Sequence, residues 1–306
     1  MSTSVLYDLP GPRAVARNRL LGVLTVLVLL ALLGYIVWRL AVTGQFSADK
    51  WGLFAYSLIW ERVLQALGQT LSAFVVAAVG SLALGFALGV ARLSEHAWVR
   101  VPARWLVELL RAVPVLVFMM LLYYGLPVLG VSMTPYAAVV IALIAYNGSV
   151  LAEVVRSGVE ALPRGQSEAG YAVGLRKSGV MLHVLLPQAV RSMLPVIIAQ
   201  LVVTLKDTAL GWIITYNELL YLARLLGGNT QFDRPIVPAT IVVGAIYILL
   251  CVLLSWLATV VQKRLSRSRA AVETVTAATV NASEITDTAL IAVQQADLPK
   301  KPDRAP

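Results

Sequence analysis

Thiol, imidazole and charge are all scarce in this chain. Of 306 residues one is cysteine, Cys251, and two are histidine, His96 and His183. A lone cysteine excludes an intrachain disulfide, and two histidines far apart in sequence do not have metal-ligand spacing. Charged residues make up 13%, about half the share of an ordinary soluble domain. Neither G-x-x-x-x-G-K-[ST] nor G-x-S-x-G occurs. The chain therefore has no phosphate-binding loop of its own and no nucleophile elbow. With both histidines outside the apolar runs, an intramembrane hydrolase also lacks its base.

Apolar length is what the chain has. Hydrophobic residues make up 59%, and six runs, 20–41, 66–91, 113–132, 136–155, 192–215 and 238–262, come near the ~20 residues a helix needs to cross ~30 Å of hydrocarbon. The expected fold is all-α and polytopic. A net charge of +9 could suggest a nucleic-acid binder, but nineteen of the 25 basic residues fall in alternate segments: the N-terminus, 92–111, 156–191 and the tail. The intervening segments 42–65, 126–136 and 216–237 hold only Lys50, Arg62, Arg224 and Arg234. That alternation is the positive-inside pattern; it excludes nucleic acid as a partner and makes both termini and 156–191 cytoplasmic. Outward acids Asp49, Glu61, Glu218 and Asp233 balance the four outward bases, so no net field selects a solute. The first run ends in Trp38-Arg39 without an Ala-x-Ala site, so it reads as a retained helix. Residues 266–306, rich in Ala, Thr, Val and Ser, read as a disordered tail.

Two spans carry small-residue stripes: Ala73, Ala77, Ser81, Gly85 and Gly89 in the second, and Ala138, Ala142, Ala145, Ser149 and Ala152 in the fourth. Such stripes mark close helix contacts, within one chain or between two. The fifth span has a polar face instead: Gln200, Thr204, Asp207, Thr208 and Gly211 recur at helical spacing. It should look inward. Lys206 and Asp207 lie ~25 Å along a helix starting near Pro187, in the outer half of the bilayer, and neighbours on a helix point ~100° apart, so they should have different partners. Intramembrane charges are expensive and are either paired or face a solute route.

Between the fourth and fifth spans lies a charged, glycine-punctuated loop. Pro163 and Gly165 would end one helix, Ser167 would cap a new one beginning at Glu168, and Gly174 with Gly179 would close it. Glu168-Ala169-Gly170-x-x-x-Gly174, followed by Leu186-Pro187-Gln188, resembles the E-A-A-x-x-x-G loop of ABC-importer permeases. Other segments resemble the polar amino-acid branch of that family in order: Arg111-Ala112-Val113-Pro114 its R-G-T-P, Tyr123-Tyr124-Gly125-Leu126-Pro127 its Y-Y-G-L-P, Ala145-Tyr146 through Glu153 and Arg156 its A-Y…A-E-x-x-R, and Lys206-Asp207-Thr208-Ala209-Leu210 its K-D-T-S-L. Gly170 stands for the second alanine of E-A-A, and Ala112 for the glycine of R-G-T-P. Asn147-Gly148-Ser149 and the leading helix most resemble glutamate permeases.

The resemblance implies six transmembrane helices, a five-helix type I permease core plus one N-terminal helix. It divides the chain into a cytoplasmic N-terminus (1–19), an extra helix with an external linker (20–65), a transmembrane domain (66–262) with coupling loop 156–191, and a cytoplasmic tail (263–306). It implies a permease importing a polar amino acid, with glutamate the nearest reading, alongside an ATP-binding subunit, a second permease chain and an extracytoplasmic solute-binding protein. ATP and Mg2+ would bind the partner ATPase and no cofactor this chain. The coupling residues would be Gly165, Glu168, Ala169, Gly170, Gly174 and Pro187, with glycines 170 and 174 leaving room for the ATPase. The translocation pathway would use Gln200, Thr204, Lys206, Asp207 and Thr208. An ion-coupled secondary transporter using Lys206 and Asp207 is the competing expectation.

Overall fold

Proline and glycine punctuation sets most helix boundaries in the computed structural model, which describes residues 11–260 and 262. The described residues form helices and turns only. The long helices are α1 (Pro12–Val42), α2 (Ser57–Arg92), α5 (Pro135–Glu160), α7 (Lys177–Ile214) and α9 (Ile236–Val260). All five are long and apolar enough to span a membrane. A sixth crossing would need the bent pair α3 (Ala97–Ala112) and α4 (Val115–Leu129), which meet at 93°. Two shorter helices are α6 (Arg164–Ala172) and α8 (Leu219–Gly227), and single helical turns lie at Ala48–Trp51, Gly52–Ala55 and Thr230–Phe232. The chain divides into two units, residues 1–69 with 217–246 and residues 70–216 with 247–306. The expected disordered tail, 266–306, lies outside the described residues, as do residues 1–10.

Several boundaries differ from the sequence reading: α2 begins at Ser57, inside the stretch read as an external linker, and three further differences have a local cause. The run 113–132 is no straight span: α4 has 15 residues, and the basic stretch before it is itself a helix, α3. Pro114 causes the break, since its ring forces Val113 out of helical geometry (ψ 122°). The run 192–215 starts earlier, at Lys177. A wide π-type turn at Val180–Leu185 admits Pro187 without ending the helix, relieving the clash between its ring and the carbonyl of His183. The outward stretch 216–237 contains α8, which turns Leu219, Leu222, Ala223 and Leu226 inward.

In the first unit, α1 buries none of its apolar window, as expected of a helix facing lipid. Glu218 caps α8, its carboxylate accepting from the backbone N–H groups of Leu220 and Tyr221, both at 2.7 Å. Lys50 Nζ donates to the Asp233 carbonyl at 2.6 Å and pairs with its carboxylate at 2.9 Å. Hydrogen bonding and the ammonium charge hold the Asp233 carboxyl below its ordinary range. The two charges, which looked merely balanced in sequence, are thus one tether, closing the segment after α1 onto the turn before α9.

The second unit is built around α5. Thr134 accepts from Ala137 N–H at 3.2 Å and Pro135 occupies the first turn, so the helix starts with its caps in place. One core joins Ala73, Ala77, Met119, Val139, Leu143 and Ile214, and another joins Leu151, Val159, Ala189, Met193 and Ile197. Both small-residue stripes meet within this chain. Ser81 Oγ donates to the Leu143 carbonyl at 3.3 Å. A Cβ on Gly85 would lie 2.6 Å from Leu151 Cβ, and one on Gly89 would lie 2.8 Å from Val155 Cβ. Helices without a solvent-driven reason to associate gain from such close packing.

Candidate functional site

Helix α6 starts a turn earlier than the sequence suggested. Pro163, extended at ψ 135°, precedes Arg164 as the flanking residue, and Ser167 is not the cap: its hydroxyl donates to the Arg164 carbonyl at 2.7 Å within the helix. Glu168 therefore lies in the second turn, away from the positive end. Closure is as expected, by Gly174 at φ +82°, with Gly174 N–H donating to Tyr171 O at 2.9 Å and Leu175 N–H to Gly170 O at 3.2 Å. Gly179 lies in the first turn of the next helix, α7, instead.

The coupling candidates divide by face. Gly165, Glu168, Ala169, Gly174 and Pro187 are exposed. Gly170 is buried, and a Cβ there would stand 2.9 Å from a Val180 methyl. Its small size thus serves contact with this chain's own π-type turn, not room for an ATPase. Beside the outward residues, Tyr171 and Val173 are 48% and 77% exposed, an apolar patch on a polar loop. Gln188 Nε2 donates to Gln166 Oε1 at 3.0 Å and to Val184 O at 2.8 Å, fastening α6 to α7. Sequence reasoning missed this bond because Gln166 and Gln188 are 22 residues apart.

Where α2, α3 and α5 converge, Glu153 pairs with Arg92 and Arg156, and Arg111 approaches to 3.9 Å. Arg156 also pairs with Glu160. Glu153 and Arg156 carried a motif without a role; the structure makes them the hub of a charged node. Arg92 continues the stripe of Gly85 and Gly89 at +3, and that spacing is the signal that could have identified it. Nearby, Lys177 pairs with Glu95 at 2.5 Å and keeps that exposed carboxyl lowered, mainly by hydrogen bonding.

The pathway candidates are not one lining. Gln200 Nε2 donates to Asn147 Oδ1 at 2.6 Å, and Asn147 is fully buried in α5. Thr204 and Thr208 are fully buried, each bonded back to its own helix, at Gln200 O (2.9 Å) and Leu205 O (2.7 Å). Much of the expected polar face is therefore a packing seam between α7 and α5, where hydroxyls can satisfy themselves on backbone carbonyls. Lys206 is exposed in a cleft with Cys251, Ser255 and Thr259. Asp207 is half-buried where α-helical winding gives way to a tighter 3₁₀ turn, and pairs with no described residue. As expected from their spacing, the two charges do not face each other.

Residues 81–267 match the family described as binding-protein-dependent transport system inner membrane component. The chain is 38% identical over 235 residues, 76% of itself and 85% of the relative, to the glutamate transport system permease protein GluD of Corynebacterium glutamicum. It is 32% identical to the probable glutamine ABC transporter permease protein GlnM of Bacillus subtilis, covering 65% of this chain and 91% of that one. A crystal structure of an amino acid ABC transporter with histidines superposes with a TM-score of 0.60 at 26% identity, covering 67% of this chain and 94% of that one. The fold recurs in the inward-facing MetNI methionine ABC transporter, TM-score 0.58 at 16% identity, over 68% of this chain and 98% of that one. The chain belongs to the binding-protein-dependent transport system inner membrane component family and is a multi-pass membrane permease of the ABC-transporter kind, not an enzyme.

Proposed function

We propose that this permease forms, with a second permease chain, the membrane passage of an importer for a polar amino acid, glutamate being the first candidate. It receives solute from an extracytoplasmic binding protein and draws work from a separate ATP-binding subunit that carries ATP and Mg2+. Similarity to the glutamate permease GluD supports the substrate reading. Both termini and α6 lie on the cytoplasmic side in this scheme, supported by the basic residues.

The observation that carries coupling is α6 itself. It is a short helix with Glu168, Ala169 and Tyr171 outward, closed by Gly174 and backed through Gly170 onto Val180. An exposed aromatic on a rigid backing is what a docking knob requires. Closure of an ATPase around α6 would push on α7 through the Gln166–Gln188 bond and the Gly170–Val180 contact. The ion-coupled alternative needs ionisable groups converging on one route, whereas Lys206 and Asp207 lie on different faces.

Ala169→Trp places bulk on the outward face at a helical position that accepts it. Co-expressed with its ATPase, the variant reaches the membrane at wild-type yield while recovery of the ATPase falls about tenfold or more. Wild-type recovery would remove α6 from the contact.

A further inference from the structure

A cavity of about 530 Å³ opens beside the Glu153 node, between the end of α2, helix α3 and the end of α5, lined by Arg92, Arg100, Val101, Arg104, Arg156 and Glu160. Four of its six lining residues are arginines. Counting the neighbouring groups, five guanidiniums (Arg92, Arg100, Arg104, Arg111, Arg156) face three carboxylates (Glu108, Glu153, Glu160). The carboxylates are committed: Glu153 to Arg92 and Arg156, Glu160 to Arg156, and Glu108 to Arg104 in an exposed pair. Arg100 meets no carboxylate among the described residues and donates only to the Ser94 carbonyl at 3.2 Å. Positive charge is therefore left over at the mouth.

The other face of the same helix shows what the mouth opens onto. Trp98, Trp105 and Leu109 on α3 are 77%, 68% and 64% exposed, and with Val101 they recur at helical spacing on a face away from the buried Ala103 and Val107. Tryptophan flanked by aliphatics on one face and arginine on the other is the composition of a helix lying at the lipid–water boundary. The 93° turn into α4 sets α3 across the direction of that span, as such a helix requires. Arg100 and Arg104 then lie at headgroup depth, one turn apart.

We propose that this cavity is a binding site for the phosphate group of an anionic phospholipid. The guanidinium forks of Arg100 and Arg104 hold the phosphate oxygens, and the acyl chains lie along Trp98 and Trp105. Basic pockets between membrane helices recognise anionic headgroups in this way. A free phosphate shares the headgroup chemistry but gains nothing from the tryptophans, and this difference separates the two sources.

The test uses the full chain in mild detergent, offered phosphatidylglycerol, phosphatidylcholine or inorganic phosphate and read by native mass spectrometry. The wild type should retain phosphatidylglycerol over phosphatidylcholine by about tenfold, and Arg100→Gln with Arg104→Gln should abolish that preference. Arg191→Gln, which removes an exposed charge elsewhere, should keep it. Arg104→Gln alone provides a second reading if the double variant is recovered poorly, and should show an intermediate preference. Equal retention of the two lipids, or an unchanged preference in the arginine variants, would overturn the proposal. Displacement of phosphatidylglycerol by equimolar inorganic phosphate would also overturn it, assigning the cavity to a soluble anion.

Discussion

Gly85 and Gly89 set how near α2 can come to α5. A methyl on Gly85 meets not only Leu151 but also the Gly148 carbonyl at 3.1 Å, and backbone cannot swing aside as a side chain can. Gly85→Val should thus lower stability by about 1–3 kcal/mol, read as an earlier thermal transition of the detergent-purified chain. Gly68→Val is the control, because nothing lies within 4 Å of a Cβ there; an unshifted Gly85→Val would mean that the two helices part at no cost. The stripe was legible in the sequence because spacing fixes a face; what that face touches was not, since periodicity carries no information about the partner. The same limit explains Thr204 and Thr208: their polarity showed through, but a hydroxyl bonded to its own helix and one facing water look alike in a string of letters.

At the level of elements, composition located the apolar helices and misplaced their ends. Pro187 read as a helix start because the rule against interior proline assumes α-helical winding; a π-type turn evades it, and α7 gains 15 residues, Lys177 to Arg191, that had been assigned to the loop. Net basic charge likewise hid α3, whose arginines and tryptophans occupy adjoining faces that share Val101. Extending α7 as far as α6 gives the Gln166–Gln188 bond its significance, because it bridges the proposed docking helix and one long enough to span. Gln188→Leu removes that bridge while leaving the outward face of α6 untouched. ATPase recovery should stay at the wild-type level while solute-stimulated hydrolysis falls about fivefold, the equivalent of one hydrogen bond of about 1 kcal/mol. Unaltered stimulation would mean that the Gly170–Val180 contact alone transmits the push.

For the whole molecule, the distribution of basic residues was the most informative signal in the sequence, and it makes a prediction about sidedness. In a Cys251→Ala background, Val128→Cys, at a position 84% exposed in the last turn of α4, should react with an impermeant thiol reagent in intact cells. Val173→Cys, at a position 77% exposed beside α6, should react only after permeabilisation. The reverse pattern would invert the topology. The length of the helix that carries Val128 also bears on the lipid. Fifteen residues of α4 rise about 22 Å, well short of the ~30 Å of hydrocarbon around it. If α4 crosses on its own beside the longer α5, it would impose a hydrophobic mismatch on the lipid it faces, drawing the bilayer in toward the protein. An edge of that kind would make the permease responsive to the membrane's acyl-chain length, a property that no solute or nucleotide reports.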